Sequence, residues 1–193
     1  MTKPGKEKVS ILLAVLLATV LLAGCSKTSS ILGGADQSDP QKFALYVAKE
    51  IFEKKNFQVL ETYGSFDQKK RLKNEKASID ALKKMGWPPG LGSLEILQNN
   101  LESFENKWGK VKSFGIFEYS PDKFKASSDP RTKASVWIWA LREYSKLEGH
   151  DQYMCSGKSA EECLKYRFSN IRLGLVQERD GKWYVNHYFF GRT

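Results

Sequence analysis

The sequence predicts an α+β domain, with N-terminal helices packed on one face of a curved antiparallel sheet. Three observations lead there. Apolar residues recur at helical spacing up to Gly109 and lose that period beyond it. From Val111 onward the chain runs in short stretches rich in β-branched and aromatic residues, and Arg179-Asp180-Gly181-Lys182 sets a tight turn between two of them. The segment carrying both patterns, residues 39–193, is long enough for one domain with its own core and too short for two.

Asp39-Pro40 opens the domain, because Asp can cap a helix and Pro suits its first position. Phe43, Ala44, Val47, Ala48 and Ile51 then repeat as one helical face, and Asn56 marks a break. Phe57, Val59, Leu60 and Tyr63 read as a short second helix ending at Gly64. Phe66 to Met85 has a thin apolar line, Leu72, Ile79 and Leu82, in a basic stretch of seven Lys/Arg against three acids. Gly86-Trp87-Pro88-Pro89-Gly90 interrupts the chain. Leu94, Leu97, Leu101, Phe104 and Trp108 then give the cleanest amphipathic helix, which Gly109 ends.

In the second half, Val111–Tyr119 reads as a strand and Pro121–Pro130 as a loop. Ala134–Tyr144 contains Val136-Trp137-Ile138-Trp139-Ala140-Leu141, apolar on both faces, so both faces should be covered. Trp137 and Trp139 share a face; exposed, they would suit carbohydrate stacking, and buried, they are core. Gly149–Lys165 is a polar excursion. Phe168–Glu178 and Trp183–Phe190 read as a hairpin, since Asp-Gly supplies the positive φ of a type I′ turn.

Ahead of the domain, Lys3, Lys6 and Lys8 precede an apolar run from Ile11 to Gly24, the layout of a secretory signal. That run is short for a membrane span, which needs ~20 apolar residues. Leu22-Ala23-Gly24-Cys25 resembles the lipobox of bacterial lipoproteins at all four positions. The resemblance implies cleavage between Gly24 and Cys25, lipid on the Cys25 thiol and palmitate-type acylation of the new amino group. Two or three chains give a durable anchor. Ser26 in place of Asp points to the outer membrane, facing the periplasm, over the inner one. The expected organisation is thus a signal peptide at 1–24, a lipidated cysteine with a flexible tether at 25–38, and a single domain at 39–193.

Removing residues 1–24 takes out three of 31 basic residues and one of 22 acids, which leaves a net charge of +7. That favours anionic lipid or cell-wall polymer as a partner, and the export signal argues against nucleic acid. Lys69, Lys70, Lys73 and Lys76 are the candidate anionic-surface patch. With Cys25 lipidated, Cys155 and Cys163 remain in an oxidising compartment and should form a disulfide. No CxxC and no paired histidine suggest a metal site, and no cofactor motif is found.

Helices followed by an antiparallel sheet, ending on the hairpin Leu175-Val176-Gln177-Glu178-Arg179-Asp180-Gly181-Lys182-Trp183-Tyr184-Val185, resemble the NTF2-like superfamily. The resemblance spans most of Asp39–Phe190 and implies a cone whose sheet holds a cavity. The Trp-Pro-Pro-Gly break and the cysteine-bearing insertion depart from it. Alternation places His187 on the face of Trp183, Val185 and Phe189, where with Tyr46 or Tyr63 it could form a polar spot in an apolar pocket. A hydrogen-bonded histidine at the rim of an aromatic core is the plainer reading. Ser120-Pro121-Asp122-Lys123 has Ser–Lys spacing but lacks a helix, and Gly157-Lys158-Ser159 lacks the first P-loop glycine. No catalytic constellation emerges. Three functions remain: a membrane-anchored envelope lipoprotein with a non-catalytic binding or scaffolding role, a small-molecule pocket protein or enzyme, and an accessory subunit of a secretion or conjugation machine.

Overall fold

The structure, a computed structural model, describes residues 34–88, 90–122, 128–147, 149 and 157–190, with the side chains of 169, 170 and 190 outside that description. The chain divides into two units, Met1–Ala35 and Asp36–Thr193, and all the elements below lie in the second. The second unit starts at Asp36, three residues before Asp39.

Helix α1 (Pro40–Phe52) starts where the sequence places it. The Asp39 carboxylate accepts from the N–H groups of Gln41 and Lys42 at 2.8 and 3.0 Å. Loss of such a cap costs ~1 kcal/mol. Phe43, Ala44, Val47, Ala48 and Ile51 are buried along one face, which packs on the first two strands. A short α2 (Val59–Thr62) buries Val59 and Leu60. Helix α3 (Phe66–Lys84) is capped by Ser65, whose Oγ accepts from Gln68 N–H at 3.2 Å. Helix α4 (Ser93–Trp108) buries Leu97, Leu101, Phe104 and Trp108, the periodic face read from the sequence.

Four strands follow: β1 (Val111–Pro121), β2 (Lys133–Arg142), β3 (Ser169–Gln177) and β4 (Trp183–Phe190). They form an open antiparallel sheet in chain order, β1-β2-β3-β4. The protein is therefore α+β, as expected. Alternation in β2 is strict: Ala134, Val136, Ile138 and Ala140 are buried, while Lys133, Ser135, Trp137, Trp139 and Leu141 are half-buried on the opposite face. The β3–β4 turn closes through Glu178 N–H to Lys182 C=O at 3.0 Å, with Gly181 at φ +76°.

One helix was not legible as such. Within the polar excursion, α5 (Ala160–Arg167) forms and lies against β2. Ser159 Oγ accepts from Glu162 N–H at 3.2 Å while the Glu162 carboxylate receives Ser159 N–H at 2.9 Å, a reciprocal cap. At its end, Phe168 meets Trp108 edge-on at 5.3 Å and closes a small cluster with Phe104, Leu141 and Leu164. Every buried apolar side chain among the described residues lies between Phe43 and Val185. The described core thus lies within the unit Asp36–Thr193.

Candidate functional site

The pocket expected from the sequence divides between the two faces of the sheet. Tyr46 and Tyr63 do meet, edge-on at 5.7 Å, and Phe43 joins Tyr63 at 5.8 Å. Burial and the hydrogen bond with Tyr63 push the Tyr46 hydroxyl up to about 12. Trp183 is buried, and its backbone is held on both sides by Gln37: Trp183 N–H donates to Gln37 C=O at 2.9 Å and Gln37 Nε2 donates to Trp183 C=O at 2.7 Å.

His187 does not share a face with Trp183 and Val185. The β3–β4 ladder pairs Leu175 with Val185 and then Gly174 with His187, so Asn186 is an extra residue on β4. Such a bulge reverses the parity of everything beyond it. Val185 points into the core, and His187 emerges exposed on the opposite face with Phe189. Its ring lies over Gly174, where an added Cβ would sit 2.1 Å from Cε1. Partial burial, and the positive charges of Arg172, Arg71 and Lys133, lower its pKa below the ordinary imidazole value.

What surrounds His187 is cationic and aromatic. Arg172 is paired across the ladder with Trp137 on one side and Phe189 on the other. Its Nη2 donates to Ser135 Oγ at 3.0 Å, and its Cζ stands 5.5 Å from the Trp137 ring centre. Farther along β2, Lys165 of α5 stands 5.1 Å over Trp139. The two tryptophans are thus neither fully exposed nor core: each is half-buried beneath a cation.

Helix α3 carries its charge on one flank. Gln68, Leu72, Glu75, Ile79 and Leu82 follow each other at alternating spacings of four and three and face inward, either buried or half-buried. At 100° per residue, Lys69, Lys70, Lys73, Lys76, Lys83 and Lys84 fall within an arc of about 140° beside that seam. All six are exposed. Among the described residues, no carboxylate stands within ion-pair distance of any of them. The acids of α3 are largely engaged elsewhere. Glu75 accepts from Ser93 N–H at 2.5 Å and Ser93 Oγ at 2.7 Å, so it caps α4. Asp67 accepts from Arg131 Nη2 at 2.6 Å.

Arg131 was not singled out by the sequence and is the busiest polar side chain described. It also donates to Asp129 (Nε, 2.8 Å) and Glu178 (Nη1, 3.0 Å). Lys133 adds a second contact to Asp129 at 2.8 Å. These partners hold the Asp129 carboxyl well below the usual range and the guanidinium firmly charged. The cluster borders an open cleft of about 920 Å³ between the start of α3, the segment leading into β2 and the turn that follows β3. Three carboxylates share two cations there, and through Asp67 the cluster ties α3 to the sheet.

Ser120 and Pro121 lie in β1, extended, so the Ser–Lys spacing finds no helix there. Gly157 precedes α5 with φ +84°, and Ser159 caps that helix. Cys163 is buried and disulfide-bonded. Its expected partner Cys155, the lipobox residues Gly24 and Cys25, and His150 lie outside the described residues. Among the described residues, no group of three or more His, Cys, Asp or Glu could hold a metal ion, and no helix is long and apolar enough to cross a membrane. No family model, curated protein or solved structure matches this chain.

Proposed function

We propose that the chain is a lipid-anchored protein of the bacterial cell envelope, held through Cys25, whose domain binds acidic envelope surfaces without catalysing a reaction. Outer-membrane placement facing the periplasm, kinship with NTF2-like domains and a Cys155–Cys163 disulfide belong to the same reading. The anchor is supported by Leu22-Ala23-Gly24-Cys25 behind a lysine-flanked apolar run. The binding role is carried by the lysine flank of α3, six exposed cations on one side of one helix. Net charge alone speaks only to non-specific attraction; a one-sided array close to a surface has a direction.

Membrane or wall surfaces are often anionic, and the attraction fades within a Debye length of ~8–10 Å. The unit Asp36–Thr193 should therefore co-sediment with anionic vesicles or wall fragments at low salt and be released by about 0.5 M salt. Changing Lys69, Lys70, Lys73 and Lys76 to Gln should weaken this binding and leave the thermal midpoint within a few degrees. Equal binding by the variant and the parent would refute the lysine flank as the binding element.

A further inference from the structure

We propose that the corner joining α3 to α4 inserts into the headgroup region of an anionic lipid bilayer, with the lysine flank of α3 laid along the same surface. Seven large apolar side chains are exposed among the described residues, and four of them, Met85, Trp87, Leu91 and Ile96, fall in this one corner. A fifth, Phe66, stands at the other end of α3 and is the most exposed of all at 73%. Single apolar residues on a surface need no explanation, but a cluster of this kind does. Trp87 is fixed for the purpose: its N–H donates to Leu82 C=O at 3.1 Å, which closes the end of α3, while its side chain remains 66% exposed.

Charge selects the partner. Lys83 and Lys84 immediately precede Met85, and the other four lysines continue the flank towards Phe66. Asp80 lies within the arc, and Glu95 turns onto Gly92 N–H at 2.9 Å. A tryptophan and apolar neighbours bordered by lysines match a lipid–water interface, where the indole sits at headgroup level and lysine stems run along the apolar boundary. A wall polymer would satisfy the lysines and leave Trp87, Met85 and Leu91 in water.

The chain's path permits this. Gln37 and Ser65 both bond to the start of β4, at Trp183 and Val185, so Gln37 lies beside the start of α3. Nineteen helical residues then carry the chain about 28 Å to the corner. A lipid on Cys25 would bring the domain to the bilayer that the corner enters. The inference rests on the lipid-anchor reading above for bringing the two together.

The test uses the unit Asp36–Thr193 with vesicles of phosphatidylglycerol and phosphatidylcholine, or phosphatidylcholine alone, made with brominated acyl chains as a quencher. The protein has five tryptophans; Trp108 and Trp183 are buried and Trp137 and Trp139 half-buried, so contact quenching reports Trp87. Anionic brominated vesicles should blue-shift and quench the emission, and Trp87→Phe should remove that response. Trp87→Ser with Met85→Ser should weaken partitioning tenfold or more. Lys73, Lys76, Lys83 and Lys84 changed to Gln should weaken it by about 100-fold, with the circular-dichroism spectrum unchanged. Undiminished quenching in Trp87→Phe, equal response to neutral vesicles, or no response at low salt would each overturn the inference. So would concentration-dependent self-association that Trp87→Ser abolishes while vesicles have no effect. Acylation of the full chain at Cys25 is scored separately by lipid labelling, so failure of the anchor and failure of the corner are distinguishable.

Discussion

Replacing Gly109 with Ala tests the junction that turns the helical half into the sheet. Gly109 ends α4 at φ +80°, ψ −175°, a region open essentially to glycine alone. Holding an alanine there costs about 1–3 kcal/mol. Space is short as well: a Cβ would fall 2.8 Å from Glu143 Cβ and 3.0 Å from the Tyr144 ring. Glu143 Cβ cannot swing aside without moving backbone, and overpacking of this kind adds about 1–3 kcal/mol. The junction is also tied by Arg142 Nη1 donating to Gly109 C=O at 3.2 Å and by Tyr144 N–H donating to Trp108 C=O at 2.9 Å. A total loss of about 2–6 kcal/mol is expected. Urea unfolding followed by tryptophan emission should show the midpoint falling by roughly 1–3 M at an unchanged slope of about 2 kcal/mol per M. Gly181→Ala is the control: its φ is +76°, but nothing lies within 4 Å of the added Cβ, so it should lose only about 1 kcal/mol. A Gly109→Ala variant no less stable than Gly181→Ala would refute the steric argument and with it the described path from α4 into β1.

Leu101→Ala, at a site only 3% exposed on the inner face of α4, should cost about 2–5 kcal/mol by urea unfolding. Ile96→Ala, on the exposed side of the same helix, should change stability by less than about 0.5 kcal/mol. Because burial and neighbouring positive charge lower the His187 pKa in the folded state, neutral His187 contributes stability that is fully present above the unfolded value of about 6.5 and is lost as pH falls. His187→Asn should therefore flatten the fall in stability on acidification from about pH 7 to 5, read from urea midpoints; an unaltered slope would show that the imidazole is not sheltered over Gly174. Mass spectrometry of non-reduced mature protein should find Cys155 linked to Cys163, and rapid alkylation of both thiols in the native protein would exclude the bridge.

The helical half was legible because each element there depends on local periodicity and capping. Asp39, Gly109 and the seam Leu97-Leu101-Phe104-Trp108 act as the sequence suggests. The hairpin at Asp180-Gly181 was legible for the same reason, but not as the type I′ turn expected: only Gly181 takes positive φ, and Gly181 N–H donates to Glu178 C=O at 3.0 Å, so a turn over Arg179 and Asp180 is followed by a glycine bulge. The position of His187 was not, because the extra residue at Asn186 is a property of the pairing with β3, and a single strand read by alternation carries no sign of it. Helix α5 did leave a signal in Ser159-Ala160-Glu161-Glu162, a capping box hidden by the polarity of its surroundings. Arg131 gathers Asp67, Asp129 and Glu178 from three separated stretches, so its role exists only once the chain is folded. The lysine flank was visible as a basic run; that its cations fall on one exposed side, between Phe66 and the Trp87 corner, follows from the seam at Gln68, Leu72, Glu75, Ile79 and Leu82.

The most direct test of the account is metabolic labelling with palmitate in a bacterium that expresses the full chain, comparing the parent with Cys25→Ala. A lipid anchor at Cys25 predicts label in the parent at the size of a chain cut before Cys25, and in the variant no label and an uncleaved precursor. Label retained at the parental level in Cys25→Ala would contradict the lipid anchor on which the proposed function stands.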